Sequence, residues 1–189
     1  MSKIEKSIAG APFPTPVALV TTIGKEDNAN IITLAWIGVA CSEPFMISAA
    51  IRPERHSHAL LEDTKELVVN LPTTKILKET DYCGTVSGRN TEKFSASGLT
   101  KEKAKIVSPP LIKECPVSLE AKVEHQLSLG THDLFICRVV VSHVEVAFLD
   151  EKGRFDFGKI DPFIYLATDY WSLDKKIGYY AFTKKVGQP

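Results

Sequence analysis

Arg52, Arg55 and Ser57 bring two guanidinium groups and a hydroxyl to one short stretch. An apolar run ends just before them at Ile51, and a helix-compatible run begins near Ala59. A helix N-terminus presents free N–H groups and the positive end of the helix dipole, which suits a phosphate. Arginine adds bidentate, charge-assisted hydrogen bonds. The same residues also fit a solvated turn whose charges pair with Glu54 and Glu62, so the local pattern leaves both uses open.

Other polar and aromatic groups sit within apolar runs nearby. Asn30, Thr33, Ala35 and Trp36 share one such run. A tryptophan there commonly packs in a core, yet it could also wall a flat aromatic ligand. A buried Thr33 hydroxyl needs a partner, and a ligand rim rich in N and O atoms could supply one. Asn70 closes a second apolar run, where it caps a turn or bonds a ligand. Cys83, Gly84, Ser87, Gly88 and Arg89 form a glycine-bearing stretch that lets backbone approach a ligand, and Lys93 follows. Cys83 fits either a redox thiol or a structural one. His125 falls in the apolar register of its run and reads as a core histidine. His132 lies in a turn beside Asp133, where an imidazole is either solvated or placed to exchange protons.

Composition narrows the function classes. The chain has 189 residues, 44% hydrophobic and 24% charged, enough for one domain with a sizeable core. Lys plus Arg and Asp plus Glu number 23 each, so no global field draws the protein to nucleic acid or an anionic membrane. Any cationic site must be local. Cys41, Cys83, Cys115 and Cys137 form no CxxC pair, which speaks against a zinc site or a thioredoxin-like motif, and no metal site is expected. No P-loop, Rossmann glycine pattern or HExxH motif occurs. The N-terminus lacks an apolar signal core, and no run is long enough to span a bilayer. A cytoplasmic protein with reduced thiols is the expectation.

The elements that must position these residues read mostly as strands. Val17 to Ile23 is β-rich and ends at Gly24, with a polar turn over Lys25 to Asn28. Ile31 to Ala40 is nearly apolar throughout and reads as a strand buried on both faces. Phe45 to Ile51 is a third strand, bracketed by Pro44 and Pro53. Ser57 is a plausible N-cap for a short helix, and Glu66 to Leu71 is again a strand. Lys75 to Gly88 reads as a helix loosening into a loop, and Asn90 to Pro110 as a polar surface segment. From Val117 to Leu129 apolar and polar residues alternate, predicting Val117, Leu119, Ala121, Val123, Leu127 and Leu129 inside and Ser118, Glu120, Lys122, Glu124, Gln126 and Ser128 wet. Leu134 to Phe148 completes a long hairpin. Many antiparallel strands with few short helices favour closure into a barrel, and the lack of βαβ alternation argues against a Rossmann fold.

Taken in order, these motifs resemble the flavin reductase-like, FMN-binding split-barrel family, which includes the flavoredoxins. The resemblance rests on Asn30, Thr33, Ala35 and Trp36, then Pro44, then Arg52, Arg55 and Ser57, then Val69-Asn70. It continues through Cys83-Gly84, Ser87-Gly88-Arg89, Lys93-Phe94, the Gly130-Thr131-His132-Asp133 turn, and the aromatics Tyr165, Tyr170 and Trp171. It implies a mainly β, six-stranded antiparallel split barrel with a few short helices. It implies one domain over residues 1–189, with 160–189 as an arm, and a homodimer holding one FMN per subunit near the interface. By carry-over, Arg52, Arg55, Ser57 and Lys93 would surround the phosphate. Thr33, Ala35 and Trp36 would line the isoalloxazine, with Asn30, Asn70, Cys83, Gly84 and Ser87 nearby and His132 at the reactive face.

The function implied is an FMN-dependent oxidoreductase. In one version NAD(P)H is the co-substrate and flavin the acceptor; in the other, electrons pass between redox protein partners. Two other classes compete: a non-enzymatic barrel binding flavin or another planar ligand such as haem, and an OB-like nucleic-acid module. Zero net charge and the lack of a basic, aromatic-studded strand face count against the last.

Overall fold

The computed structural model describes residues 2–8, 10–26 and 28–185. Its elements run in the order β1 (Thr15–Pro16), β2 (Ala18–Ile23), β3 (Ala29–Leu34), β4 (Ile37–Cys41), β5 (Met46–Ile51), α1 (His56–Thr64), β6 (Glu66–Leu71), α2 (Leu77–Thr85), α3 (Lys93–Ser97), β7 (Lys101–Glu102), β8 (Leu111–Ile112), β9 (Val117–Ser128), β10 (Asp133–Val144), α4 (Phe157–Ile160), β11 (Phe163–Leu166) and β12 (Asp169–Ser172). Short 3-10 turns precede α2 and follow β10.

The main sheet has seven antiparallel strands in the order β3-β2-β6-β9-β10-β5-β4. Its two outermost members, β3 and β4, are separated in sequence only by Ala35 and Trp36. The chain therefore leaves one edge of the sheet and joins the other, which curls the sheet into a barrel. The Trp36 carbonyl already accepts from the Ala50 amide of β5 at 2.8 Å. The expected six-strand count differs from the seven observed because one run, broken at Ala35-Trp36, appears as two strands. The break also changes the burial expected for Ile31 to Ala40. β3 is buried, but Val39 in β4 is 69% exposed.

The barrel interior is filled by Val20, Ile32, Ile51, Leu61, Leu67 and Phe135, all under 9% exposed. A second cluster seats the helices on the outer face of β3: Leu19, Ile31, Cys83, Phe94 and Ile112 pack there. Period-two alternation splits the strand between these cores, Ile32 and Leu34 inward and Ile31 outward. Of the helices, α1 spans the gap between β5 and β6, as the shift of period after Ile51 predicts.

Several local expectations need correction. Ser57 is not the N-cap of α1; Arg55 takes that position in extended conformation, and Ser57 is buried in the first turn. The 90–110 segment is not merely a surface stretch, because Phe94, Leu99 and Val107 are buried and Lys93 is 3% exposed. In β9 the buried and wet faces are exchanged along part of the strand. Ser118 and Glu120 are buried, whereas Val117 and Leu119 are only partly so. The cause is Glu120, whose carboxylate accepts from the Lys105, Ile106 and Val107 amides at 2.7, 2.7 and 3.0 Å. The loop they belong to lies over that face. His125, expected in the core, is exposed because the far half of β9 extends beyond the covered part.

Past residue 160 the chain returns to the barrel. β11 and β12 form a hairpin, and β11 pairs with β1 through Thr15↔Tyr165 and Pro16↔Ile164. Thr74 Oγ1 donates to Asp161 Oδ2, and the Thr74 amide donates to the Asp161 carbonyl at 3.1 Å. All four cysteines are free. No helix among the described residues is long and apolar enough to cross a membrane.

Candidate functional site

The break at Ala35-Trp36 opens the site. An unbroken strand would carry its side chains along the barrel wall, but here the backbone turns between two sheet edges and leaves Trp36 39% exposed. The imidazole of His132, at the start of the β9–β10 hairpin's return strand, lies parallel to the indole. Their centroids are 6.5 Å apart and the planes 18° from parallel. Thr131 Oγ1 bonds His132 Nδ1 at 2.9 Å, so Nε2 is the nitrogen left to serve a bound molecule. A cavity of about 440 Å³ opens here between Thr33, Ala35, Trp36, His132, Tyr165 and Tyr170. The tyrosines come from the C-terminal hairpin. They meet edge-on at 5.6 Å, and the Tyr170 hydroxyl donates to Asp81 Oδ1 at 3.1 Å. Burial, and then Asp81, push the Tyr170 phenol up to about 12, so it stays a donor.

A second cavity of about 230 Å³ continues the first. The two share Ile32, Arg55 and Gly84. This end is cationic: Arg55 and Lys93 line it, with the His56 imidazole and the Ser57 and Ser87 hydroxyls beside them. The helix α1 begins here, so its free amides face the same region. Asn30 Nδ2 donates to Ser57 Oγ at 2.8 Å across the cavity floor. Gly88 is required by close approach, since a Cβ there would fall 2.0 Å from Asn30 Oδ1. Lys93 Nζ donates to the carbonyls of Ile31 at 2.7 Å and Cys83 at 2.6 Å. Burial brings its ammonium down to about 8. Burial, with Arg89 and Lys93 close by, lowers His56 below its ordinary value. Among the described residues neither Arg55 nor Arg89 has an ion-pair partner, and Lys93 meets only carbonyls. Glu54 is the one carboxylate on this cavity's wall, and it lies 3.7 Å from Arg52. An uncompensated cluster of this kind favours an anion over a cation.

The structure brings most of the sequence candidates to this cleft. Thr33, Ala35, Trp36, Arg52, Arg55, Gly84 and His132 line the first cavity. Asn30, Ser57, Cys83, Ser87 and Lys93 line the second. One candidate lies elsewhere, and two that line the cleft are partly committed inside the fold. Asn70 lines neither cavity and is completely buried. Its amide nitrogen donates to the Leu19 and Val68 carbonyls, and its oxygen accepts from the Ile112 amide and Ser118 Oγ. Every bonding position is used inside the fold. The Thr33 hydroxyl donates to the Thr80 carbonyl of α2 at 2.5 Å, so it can only accept from a ligand. The Cys83 thiol is pushed up by burial, with Lys93 opposing, and remains protonated at neutral pH.

The sequence reading left His56, Asp81, Tyr165 and Tyr170 out of the site. His56 carried a signal, standing between Arg55 and Ser57. Tyr165 and Tyr170 entered only through the family resemblance, because long-range β1–β11 pairing carries their hairpin to the cleft, and Asp81 of α2 stands out only because Tyr170 bonds it.

This fold and cleft define a split-barrel protein, and the sequence assigns its class. Residues 9–170 match the family described as flavin reductase like domain, and the chain belongs to that family. A flavoredoxin structure from Methanosarcina acetivorans superposes with a TM-score of 0.90 at 28% identity, covering 98% of this chain and 99% of that one. The flavoredoxin of Desulfovibrio vulgaris (Miyazaki F) gives 0.88 at 27% identity, over 96% of this chain and 100% of that one. An uncharacterized protein of Archaeoglobus fulgidus is 32% identical over 143 residues, 75% of this chain and 80% of its own.

Proposed function

We propose that the protein binds FMN in the joined cleft and works as an FMN-dependent oxidoreductase of the flavin reductase-like or flavoredoxin type. The observation that carries this reading is the continuity of a flat-walled cavity with a cationic one through Arg55 and Gly84. A planar ring system and an anionic tail on one ligand fit the two ends. The unpaired guanidinium of Arg55, the Ser57 and Ser87 hydroxyls and the α1 amides would hold the phosphate. Trp36, Ala35 and Thr33 would face the ring, and Gly84 would let the α2 backbone approach it. A bound FMN supplies reversible hydride and electron chemistry. The chain's own part is to bind, orient and move protons. His132, fixed through Nδ1, is placed to give or take a proton through Nε2. Tyr165 and Tyr170 shield the open side and limit water.

Support comes from the family, and from the flavoredoxin structures that align over nearly the whole chain. NAD(P)H as donor, a redox protein partner, a homodimer with the flavin near its interface, and a cytoplasmic location all belong to this proposal. The visible spectrum of the purified protein tests the reading, together with chromatography of what heat releases. Flavin bands and released FMN are expected. A colourless protein that leaves added FMN fluorescence unquenched would overturn it. Stopped-flow reduction then separates the two versions: reduction by NADH or NADPH supports the reductase, and reduction only by a protein donor supports the carrier.

A further inference from the structure

Helix α1 carries a second histidine that faces away from the anion end of the cleft. His58 is 5% exposed and lines neither cavity. Its ring spans two carboxylates, Nε2 lying 2.8 Å from Asp133 Oδ2 and Nδ1 3.4 Å from Glu62 Oε2. Each nitrogen faces a different carboxylate, so the ring bridges them rather than joining them around one ion. Gln126 of β9 ties both from outside, donating to Glu62 Oε1 at 3.0 Å and Asp133 Oδ2 at 3.1 Å. Lys65 reaches the network only through Gln126. Phe135 meets the imidazole edge-on at 5.3 Å. A buried polar bridge is costly to assemble, and its worth is often positional rather than energetic.

What it positions follows from the chain. Asp133 is the first residue of β10 and pairs with Ile51, a cleft residue. The residue before it is His132. We propose that His58 is a positioning residue that locks the Gly130–Asp133 turn onto helix α1 and so keeps His132 flat against Trp36 in the cleft. Through this lock the helix that offers its amides to the anion and the wall that faces the ring move as one body. The inference rests on the flavin reading for its functional consequence but not for its test.

The readout is Trp36 fluorescence in a Trp171→Phe background, followed on acidification, because a stacked imidazole quenches an indole when it gains a proton. The other charged groups of that cavity are Arg52, Arg55 and Asp81. In the parent, acid quenching is expected. In His58→Gln, which can still donate to Asp133 but no longer bridges, most of the quench is lost while far-UV circular dichroism and cooperative unfolding persist. FMN binding weakens on the order of tenfold, a size common for coupling between packed elements. Asp133→Asn should reproduce both effects, and it replaces His58→Gln as the deciding variant if that one does not fold. A folded variant that keeps the quench and FMN affinity overturns the proposal, as does a parent with no acid quench. If the parent quenches but binds no flavin, the flavin reading fails and the lock is still judged.

Discussion

Lys93 and Arg55 both line the cationic end of the cleft, but they are held differently. Arg55 presents a guanidinium without an ion pair among the described residues, at the N-cap of α1. Arg55→Ala should therefore weaken FMN by roughly ten- to a hundredfold, the worth of a charge-assisted bond. Riboflavin, lacking the phosphate, should bind nearly as before; equal loss of both in a fluorescence titration would remove Arg55 from that role. Lys93 is nearly buried, and its ammonium is brought down to about 8. An incoming dianion favours the charged form, so binding takes up a proton wherever the free protein has lost it. FMN affinity should be level between about pH 7 and 8, where the phosphate is a dianion, and fall as pH rises beyond that, while Lys93→Met flattens the fall. A level profile in the parent would mean that Lys93 does not feel the phosphate. Arg55 and Lys93 were legible in the sequence as cations near a helix start and a glycine-bearing turn, although the local pattern alone fitted a solvated turn as well. Asn70 was not. An amide ending an apolar strand looks available, and its partners Ile112 and Ser118 come from distant chain.

At the scale of elements, alternation identified β9 as a strand but not which face was covered. A strict period-two pattern says that two faces differ; it does not say that the apolar one is the more buried. Glu120 decides the matter by holding three successive amides of the 105–107 loop, with His143 Nε2 at 2.6 Å from its other side. These bonds hold its carboxyl below the usual range against the opposing effect of burial. A carboxyl depressed in the fold contributes stability that is present above the unfolded value and lost as pH falls through the folded one. Glu120→Ala should cost about 2–4 kcal/mol, since it orphans three loop amides, that of Val107 buried. Thermal unfolding would show the loss, and hydrogen exchange should quicken in residues 104–110 while FMN binding persists; unchanged exchange there would mean another contact holds the loop. The α2-to-β3 junction makes a sharper demand. Gly88→Ala places a Cβ against Asn30 Oδ1, so Asn30 must swing away from Ser57. FMN affinity should then drop with little change in melting temperature, and an unaltered affinity would show that the Asn30–Ser57 bond is not part of the anion end.

For the whole molecule, closure and surface are linked. Because one bent strand supplies both edges of the sheet, each edge is short, six residues in β3 and five in β4, and the broad faces offer more surface for association. The strand register shows where such a face lies. Ala50 of β5, Leu134 of β10 and Leu127 of β9 stand in one cross-strand row, and Ser48, Ile136 and His125 in the next. Paired residues share a face of the sheet. Ala50 lines the cleft at one end of its row, and Leu127 is 52% exposed at the other, with Leu129 63% exposed just beyond. Exposed apolar surface continuous with a ligand cleft is the usual mark of an interface. The motif order in the sequence disclosed the barrel, and the dimer that the family resemblance implies belongs to the proposal. Motif order did not disclose this face, because Leu127 and Leu129 read as core in a strand whose outer half is uncovered. A second copy seated here would bring the cleft to the subunit boundary. Leu127→Asp tests this: its side chain is exposed, so the fold should survive, but burying a carboxylate between subunits is unfavourable. Light scattering after size exclusion should show a parent dimer and a variant monomer, with FMN binding weaker in the monomer. A variant that stays dimeric would put the interface elsewhere on the barrel, and a monomeric parent would leave the cleft complete within one chain.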